Sequence, residues 1–244
     1  MRISIILPTY NEAGNIAKLI KAIHTQPGLK SYQLEFIVID DNSPDDTAAE
    51  VKKLTKKISV KLFVRKNVRG LATAILHGLK KSTGKIIVLM DADFNHQPKD
   101  VFRLLQPILN QKADLAIGSR YIPGGGMHVT EANKLQFLLS KYGNYFVNRL
   151  LLNLPIHESL SGFVAFKRKI LNDLDTNHIF RGYGEYCIRL LYKIHQQGYK
   201  ISEVSVNYGK RQYGQSKSQL FLMAIDYFKT ALKLKLQLLN AKQN

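Results

Sequence analysis

Asp91 and Asp93 stand one residue apart at the end of the apolar run Ile86-Ile87-Val88-Leu89-Met90, an arrangement suited to a divalent cation that carries a diphosphate. Hard ions such as Mg2+ or Mn2+ take one or two carboxylates, keep several waters and share oxygens of a bound phosphate, so a short Asp-x-Asp with an open side suffices. Asn95 can add an amide carbonyl to the same ion, whereas His96 is expected to be structural. Further chemistry-bearing residues lie in Pro8-Thr9-Tyr10-Asn11-Glu12, Asp40-Asp41-Asn42-Ser43, Arg69-Gly70-Leu71 and Gly118-Ser119-Arg120-Tyr121. A guanidinium meets phosphate with paired donors, which makes Arg120 a candidate for gripping an anionic acceptor. Plainer roles stand beside these. An Asp-x-Asp can simply turn a loop, Arg120 can form a surface ion pair, and Glu12 can be the acidic residue of a helix's first turn. Asp41 and Asp45 can equally stabilise a turn and a helix start.

Residues so placed need a frame, and the apolar pattern supplies one. Residues 3–7, 34–39, 60–64, 86–90 and 115–118 read as strands, while Ile16, Leu19, Ile20 and Ile23, or Val101, Leu104, Leu105 and Ile108, recur at helical spacing. Strands alternating with amphipathic helices predict an α/β fold, a central and mostly parallel sheet with helices on both faces. Ligands of such sheets bind at the carboxyl ends of the strands, where the polar segments collect. Ser43 with Asp46 three residues on predicts a capping box, with Pro44 at the first helical position. Pro98 is expected to open the helix after the Asp-x-Asp. Residues 201–206 read as another strand, leading into the basic segment Arg211-Gln212-Tyr213-Gly214-Gln215-Ser216-Lys217.

Composition narrows the class. A chain of 244 residues with 45% hydrophobic content can bury a sizeable core, as one domain with an appended lobe. The lone Cys187 precludes an internal disulfide and fits a reducing cytoplasm. No run reaches the roughly 18 apolar residues of a membrane span, and the short apolar start followed by Pro8 does not read as a signal peptide. The formal net charge is +18, of which +7 lies up to Gly118 and +11 beyond it. Such an excess attracts phosphates. No element interleaves basic residues with stacking aromatics, so nucleic acid is not the expected partner.

In their order along the chain, these motifs closely resemble those of family 2 glycosyltransferases. Ser161-Gly162-Phe163 and the segment 211–217 resemble, more narrowly, the dolichyl-phosphate mannose synthase group, which places a sugar on a polyprenyl phosphate. The likeness runs from about residue 3 to 217 and implies a GT-A-like nucleotide-diphospho-sugar transferase fold. Residues 1–118 would hold the nucleotide sugar, 119–217 the acceptor, and 218–244 would form a C-terminal amphipathic helix. By this resemblance Pro8, Tyr10, Glu12 and Asp40 face the nucleoside, and Gly70, Leu71, Ala92 and the metal-bearing Asp91, Asp93 and Asn95 complete the donor side. Arg211 and Lys217 would order over the diphosphate when donor binds. Arg120 and Ser140 would meet the acceptor phosphate, and Asp93, Arg120, Arg211 and Lys217 form the expected catalytic set. Three positions depart from the family. Asn95 stands where relatives carry Gln or Ser, and keeps a carbonyl oxygen for the ion. Gln136 stands where relatives carry Arg, leaving Lys134 or Lys141 to substitute. Glu158 stands where they often carry Asp, and its extra methylene argues against a base or positioning role.

The reaction implied is displacement at the anomeric carbon by a phosphate oxygen of the lipid, with inversion. A phosphate monoester has its second pKa at about 6 and arrives as an anion, so no strong base is required. GDP-mannose is the favoured donor and a UDP-sugar the alternative. A non-catalytic nucleotide- or lipid-phosphate-binding protein is the alternative from another class, and the intact Asp91/Asp93 pair speaks against it. Past residue 219, Leu220, Ala224, Ile225, Phe228, Leu232 and Leu236 give a wide apolar face opposite Lys229 and Lys233. A basic amphipathic helix of this kind is expected to lie peripherally on the cytoplasmic face of a membrane. Docking on its own domain, a partner subunit or a second copy is the alternative, and the alternation over 232–238 would also suit a strand. Residues 135–139 and 146–152 offer further membrane contact, or core.

Overall fold

The computed structural model describes residues 1–127, 130–209 and 220–243. Its strands are β1 (Arg2–Thr9), β2 (Gln33–Asp40), β3 (Val60–Val64), β4 (Ile86–Leu89), β5 (Leu115–Ser119), β6 (Gly126–Met127), β7 (Val164–Lys167), β8 (Ile201–Ser205) and β9 (Asn207–Tyr208). Seven of them form one sheet in the order β3-β2-β1-β4-β7-β5-β8, and β6 pairs with β9 beside it. All neighbours in the large sheet run parallel except β7, which lies antiparallel to both β4 and β5. The α/β architecture and the first five strands match the pattern of apolar runs. The run Ile3 to Leu7 is continuous rather than alternating because both faces of β1 are covered.

One face packs Ile3, Ile5 and Leu7 against α1 (Ile16–His24) and α4 (Asp100–Leu109), with Val51 of α2 (Thr47–Lys52) beside them. Ile6 and Ile87 point to the other face, which carries α3 (Leu71–Lys81), α7 (Tyr186–Gln196) and part of α8 (Leu220–Gln243). Helix α3 comes so close to β1 that a Cβ on Gly78 would lie 2.5 Å from Ile6 Cγ2. At the amino ends of the strands the buried Glu35 carboxylate accepts from Ser4 Oγ, from the Thr83 and Gly84 N–H groups and from Lys61 Nζ. This ties β1, β2, β3 and the turn before β4 into one edge.

Several local expectations are corrected. The capping box at Ser43 does not form: α2 begins at Thr47, and Ser43 turns its hydroxyl and N–H to the Asp40 carboxylate instead. The helix after the metal loop begins at Asp100, two residues past Pro98. Strand β7 was not expected, since only four residues pair there directly behind the Ser-Gly-Phe turn. Residues 232–238 are helical, within α8. Helix α5 (Glu131–Tyr145) passes into a π-helical turn at Phe146–Leu151, in which the fully buried Asn148 finds no partner for either side-chain amide atom. In α8, Ala231 and Leu234 are buried against the body while Phe228, Leu232 and Leu236 stay exposed, so own-domain docking takes only one side of the apolar face.

Candidate active site

A cavity of about 830 Å³ opens at the carboxyl ends of the central strands. Three of the loops that shape it reverse through a left-handed residue just after a residue that lines it or stands behind it: Asn11 (φ 60°), Asn42 (φ 55°) and Phe94 (φ 66°). Asparagine tolerates that conformation, but phenylalanine does not adopt it without cost. The Phe94 ring is 8% exposed among core residues, and this burial holds the strained turn behind Asp91 and Asp93.

Pro8, Tyr10 and Glu12 line the cavity as anticipated, and so do Gly70, Leu71, Asp91, Ala92, Asp93 and Asn95. Glu12 takes a hydrogen bond from Asn15 Nδ2 at 2.7 Å, and its backbone N–H reaches Thr47 Oγ1 at 2.8 Å, which joins the first loop to the second. Asp40 is the exception. It is 1% exposed, and its carboxylate is taken up by Thr9 Oγ1 and Ser43, so it holds the loop from behind rather than facing the cavity. Asp41 occupies the wall in its place. Its oxygens accept from Arg65 Nε at 2.6 Å and from the Gly70 N–H at 2.8 Å, while Arg65 also reaches Thr73 and the Gly70 carbonyl. Gly70, at φ 148°, requires the freedom of glycine to make this turn. Arg69 beside it lies 3.5 Å over the Tyr10 ring.

The acid pair is asymmetric. The Asp91 side chain is 43% exposed, whereas Asp93 is buried, with Oδ1 accepting from the Asn95 N–H at 3.0 Å and Oδ2 from Asn95 Nδ2 at 2.9 Å. Asn95 therefore buttresses Asp93 and has only its amide carbonyl left to offer an ion. No group of three or more His, Cys, Asp or Glu that could by itself hold a metal ion occurs among the described residues. His96 is structural in a specific way. Its Nδ1 accepts from the Asp91 N–H at 3.0 Å, so the ring proton sits on Nε2 and is donated to the Ser161 carbonyl at 3.0 Å. Burial, outweighing the nearby Asp93 carboxylate, depresses its pKa to about 4, and the ring is neutral where it links the metal loop to Ser161-Gly162-Phe163.

Arg120 also lines the cavity, together with Tyr121, Gln136, Ser140, Tyr208 and Tyr227. It makes an ion pair that is buried rather than superficial: its Nε donates to Glu158 Oε1 at 2.8 Å, its NH2 to the same oxygen, and its backbone N–H to Oε2 at 2.6 Å. The longer side chain of Glu158 thus does position the arginine, contrary to expectation. Arg120 NH1 meets only the Met127 sulfur, at 3.9 Å, among the described residues. The Tyr208 ring lies 4.4 Å from the guanidinium. Burial opposes that charge, but the hydrogen-bonded Glu158 carboxylate favours it and holds the pKa above the usual arginine value. Ser140 shares a 2.7 Å hydrogen bond with the Tyr121 hydroxyl, and Asn144 accepts from the Ser159 N–H, which sets α5 against the wall. Lys134 and Lys141 are not among the lining residues, and Gln136 is. Arg211 and Lys217 lie outside the described residues.

Sequence reading missed Arg65 and the roles of Tyr208 and Tyr227, gave Asp41 only a turn role beside Asp40, and discounted Glu158. Asp41 was on view within Asp40-Asp41, but nothing in the chain says which of two adjacent acids turns inward.

Comparison with known proteins agrees with this geometry. A dolichol-phosphate mannosyltransferase of Pyrococcus furiosus is 35% identical over 220 residues, which are 89% of this chain but 59% of that protein, so the chain spans less than two thirds of its length. A polyprenol monophosphomannose synthase of Mycolicibacterium smegmatis is 33% identical over 222 residues, 88% of this chain and 80% of that one. Among solved structures, glucosyl-3-phosphoglycerate synthase from Mycobacterium tuberculosis, in complex with Mn2+, UDP and glucosyl-3-phosphoglycerate, aligns with a TM-score of 0.68 at 24% identity over 96% of this chain and 79% of that one. That likeness shows the GT-A-like fold. Residues 4–175 match the model of glycosyl transferase family 2, and with a cavity built on that family's ordered motifs, the chain belongs to that family.

Proposed function

We propose that the protein transfers a sugar, with mannose from GDP-mannose as the favoured donor, to the phosphate of a polyprenyl or dolichyl phosphate, with inversion and with Mg2+ or Mn2+ at Asp91 and Asp93. The observation that carries the reading is one cavity lined both by paired carboxylates, Asp91 and Asp93, and by a guanidinium among tyrosines, Arg120 with Tyr121 and Tyr208. The names of the Pyrococcus and Mycolicibacterium relatives support the acceptor class and the sugar. An exposed carboxylate beside a buttressed one fits a hard cation that completes its shell with water and diphosphate. Bound there, the ion would offset the charge of the departing nucleoside diphosphate.

In the transfer, an acceptor phosphate oxygen forms a bond to the anomeric carbon as the bond from that carbon to the donor diphosphate breaks, the leaving diphosphate keeping the electron pair. The acceptor is already anionic, so no proton has to be removed. Arg120 presents NH1 to that anion while Glu158 fixes the rest of the guanidinium. Burial pushes the hydroxyls of Tyr121, Tyr208 and Tyr227 above the usual tyrosine range, which keeps them protonated as hydrogen-bond donors. Arg211 and Lys217 would meet the donor diphosphate.

The lipid would reach this site from a membrane surface. Leu135, Leu139 and Leu150 are 68%, 66% and 64% exposed along α5 and its π-helical turn, and Phe228, Leu232 and Leu236 continue the apolar surface on α8. Lys134, Lys141 and Arg149 are exposed among them. No helix of the described residues is long and apolar enough to cross a membrane, so attachment would be peripheral, on the cytoplasmic face.

Calorimetric titration of GDP and UDP with and without Mn2+ tests donor, metal and site together. GDP should bind more tightly than UDP and only with metal, and Asp93→Ala should remove that binding while leaving the circular dichroism spectrum unchanged. Equal, metal-independent binding to wild type and variant would remove the reading.

A further inference from the structure

We propose that Glu203, on the last strand of the sheet and outside the cavity, is a positioning residue for the acceptor end: its carboxylate fixes the backbone at residues 157 and 158 so that Glu158 meets Arg120 and leaves NH1 facing an incoming anionic oxygen. The contacts are continuous. Glu203 Oε2 accepts from the His157 N–H at 2.9 Å and lies 2.8 Å from His157 Nδ1, and Oε1 accepts from the Glu158 N–H at 3.1 Å. One carboxylate thus clamps two successive N–H groups of the segment before Ser161. Glu158, 0% exposed, then receives the backbone N–H, Nε and NH2 of Arg120. Tyr208 and Tyr121 lie 4.4 Å and 5.0 Å from the guanidinium, which stops it turning.

Chemistry favours positioning over mere loop closure. Any neutral acceptor could satisfy one N–H of a surface turn, but only a carboxylate offers two equivalent oxygens to adjacent N–H groups. Here a second acid is brought up beside the buried Glu158, although like charges oppose each other. What the arrangement secures is the direction of the Glu158 side chain. A guanidinium displaced from this place would hold the incoming anion less tightly, so the loss should appear in acceptor KM. The sequence hides the link because 45 residues separate Glu158 from Glu203.

The proposal rests on the reading of the acceptor as a lipid phosphate, and its test separates the two. Kinetics would be measured with GDP-mannose, Mn2+ and a short-chain polyprenyl phosphate for wild type, Glu203→Gln and Glu203→Ala, alongside melting curves and Mn2+–GDP titrations. Gln keeps one acceptor oxygen and should retain the fold. We expect acceptor KM to rise about tenfold in Glu203→Gln and further in Glu203→Ala, with donor KM and Mn2+–GDP affinity within about twofold of wild type. A folded Glu203→Gln with unchanged acceptor KM, or with only a uniform fall in kcat, would overturn the positioning role while leaving the acceptor reading intact. A wild-type chain that transfers to no lipid phosphate overturns the acceptor reading first, and this proposal with it, before any variant is made.

Discussion

Arg65 and Asp41 show how much of the site depends on charges that hold one another in place. Their pair is buried, and Asp41 also holds the Gly70 N–H, so Arg65→Ala strands a carboxylate in the wall and frees the turn that carries Arg69. Breaking a buried pair from one side costs about 3 kcal/mol or more. Urea unfolding should show a loss of that size, and GDP affinity should fall with it; a melt unchanged from wild type would mean the pair is dispensable. The same contrast sets the limits of reading residues from sequence. Asp91 and Asp93 were legible because both lie within one strand-loop. The Arg120–Glu158 contact was not, because 38 residues separate the partners and only the antiparallel return through β7 brings them together.

Among the elements, α3 on β1 is fixed by the absence of a side chain at Gly78. Gly78→Ala would force a methyl into Ile6, and overpacking of this kind costs roughly 1–3 kcal/mol, readable as a lower melting temperature with near-normal activity per folded molecule. Glu35 gives the amino ends of β1, β2 and β3 a pH dependence. Burial raises its pKa, but hydrogen bonds from Ser4, Thr83 and Lys61 outweigh this and bring it down to about 2. A folded pKa below the unfolded value contributes stability that is present above the unfolded value of 4.5 and lost as pH falls toward 2, about 3 kcal/mol in all. Glu35→Gln should flatten the acid limb of the stability profile in that window, and an acid limb identical to wild type would assign it to other carboxylates. Strands β1 to β5 were legible because parallel, doubly covered strands are continuous apolar runs. Strand β7 was not, since four residues behind a turn carry no period, and no feature of Phe146-Val147-Asn148 announces a π-helical turn.

On the scale of the whole molecule, the cavity and the proposed membrane contact share α5, which offers Gln136 and Ser140 to the cavity and exposes Leu135 and Leu139. The sequence pointed to the C-terminal helix first and to residues 135–139 and 146–152 second; among the described residues, Leu135, Leu139 and Leu150 are more exposed than Leu232 and Leu236 of α8. Replacing Leu135, Leu139 and Leu150 with Ser should abolish flotation with anionic liposomes, and added salt should weaken flotation of the wild-type chain as the lysines are screened. Flotation of the triple variant equal to wild type would move the contact to α8 or elsewhere. The central claim is tested most directly by transfer itself. With labelled GDP-mannose, Mn2+ and polyprenyl phosphate, the account predicts label moving into a lipid-soluble product that releases it in mild acid, and no such product from Asp93→Ala. Label that stays in the aqueous phase with both GDP-mannose and UDP-glucose, from a folded and nucleotide-binding chain, would contradict it.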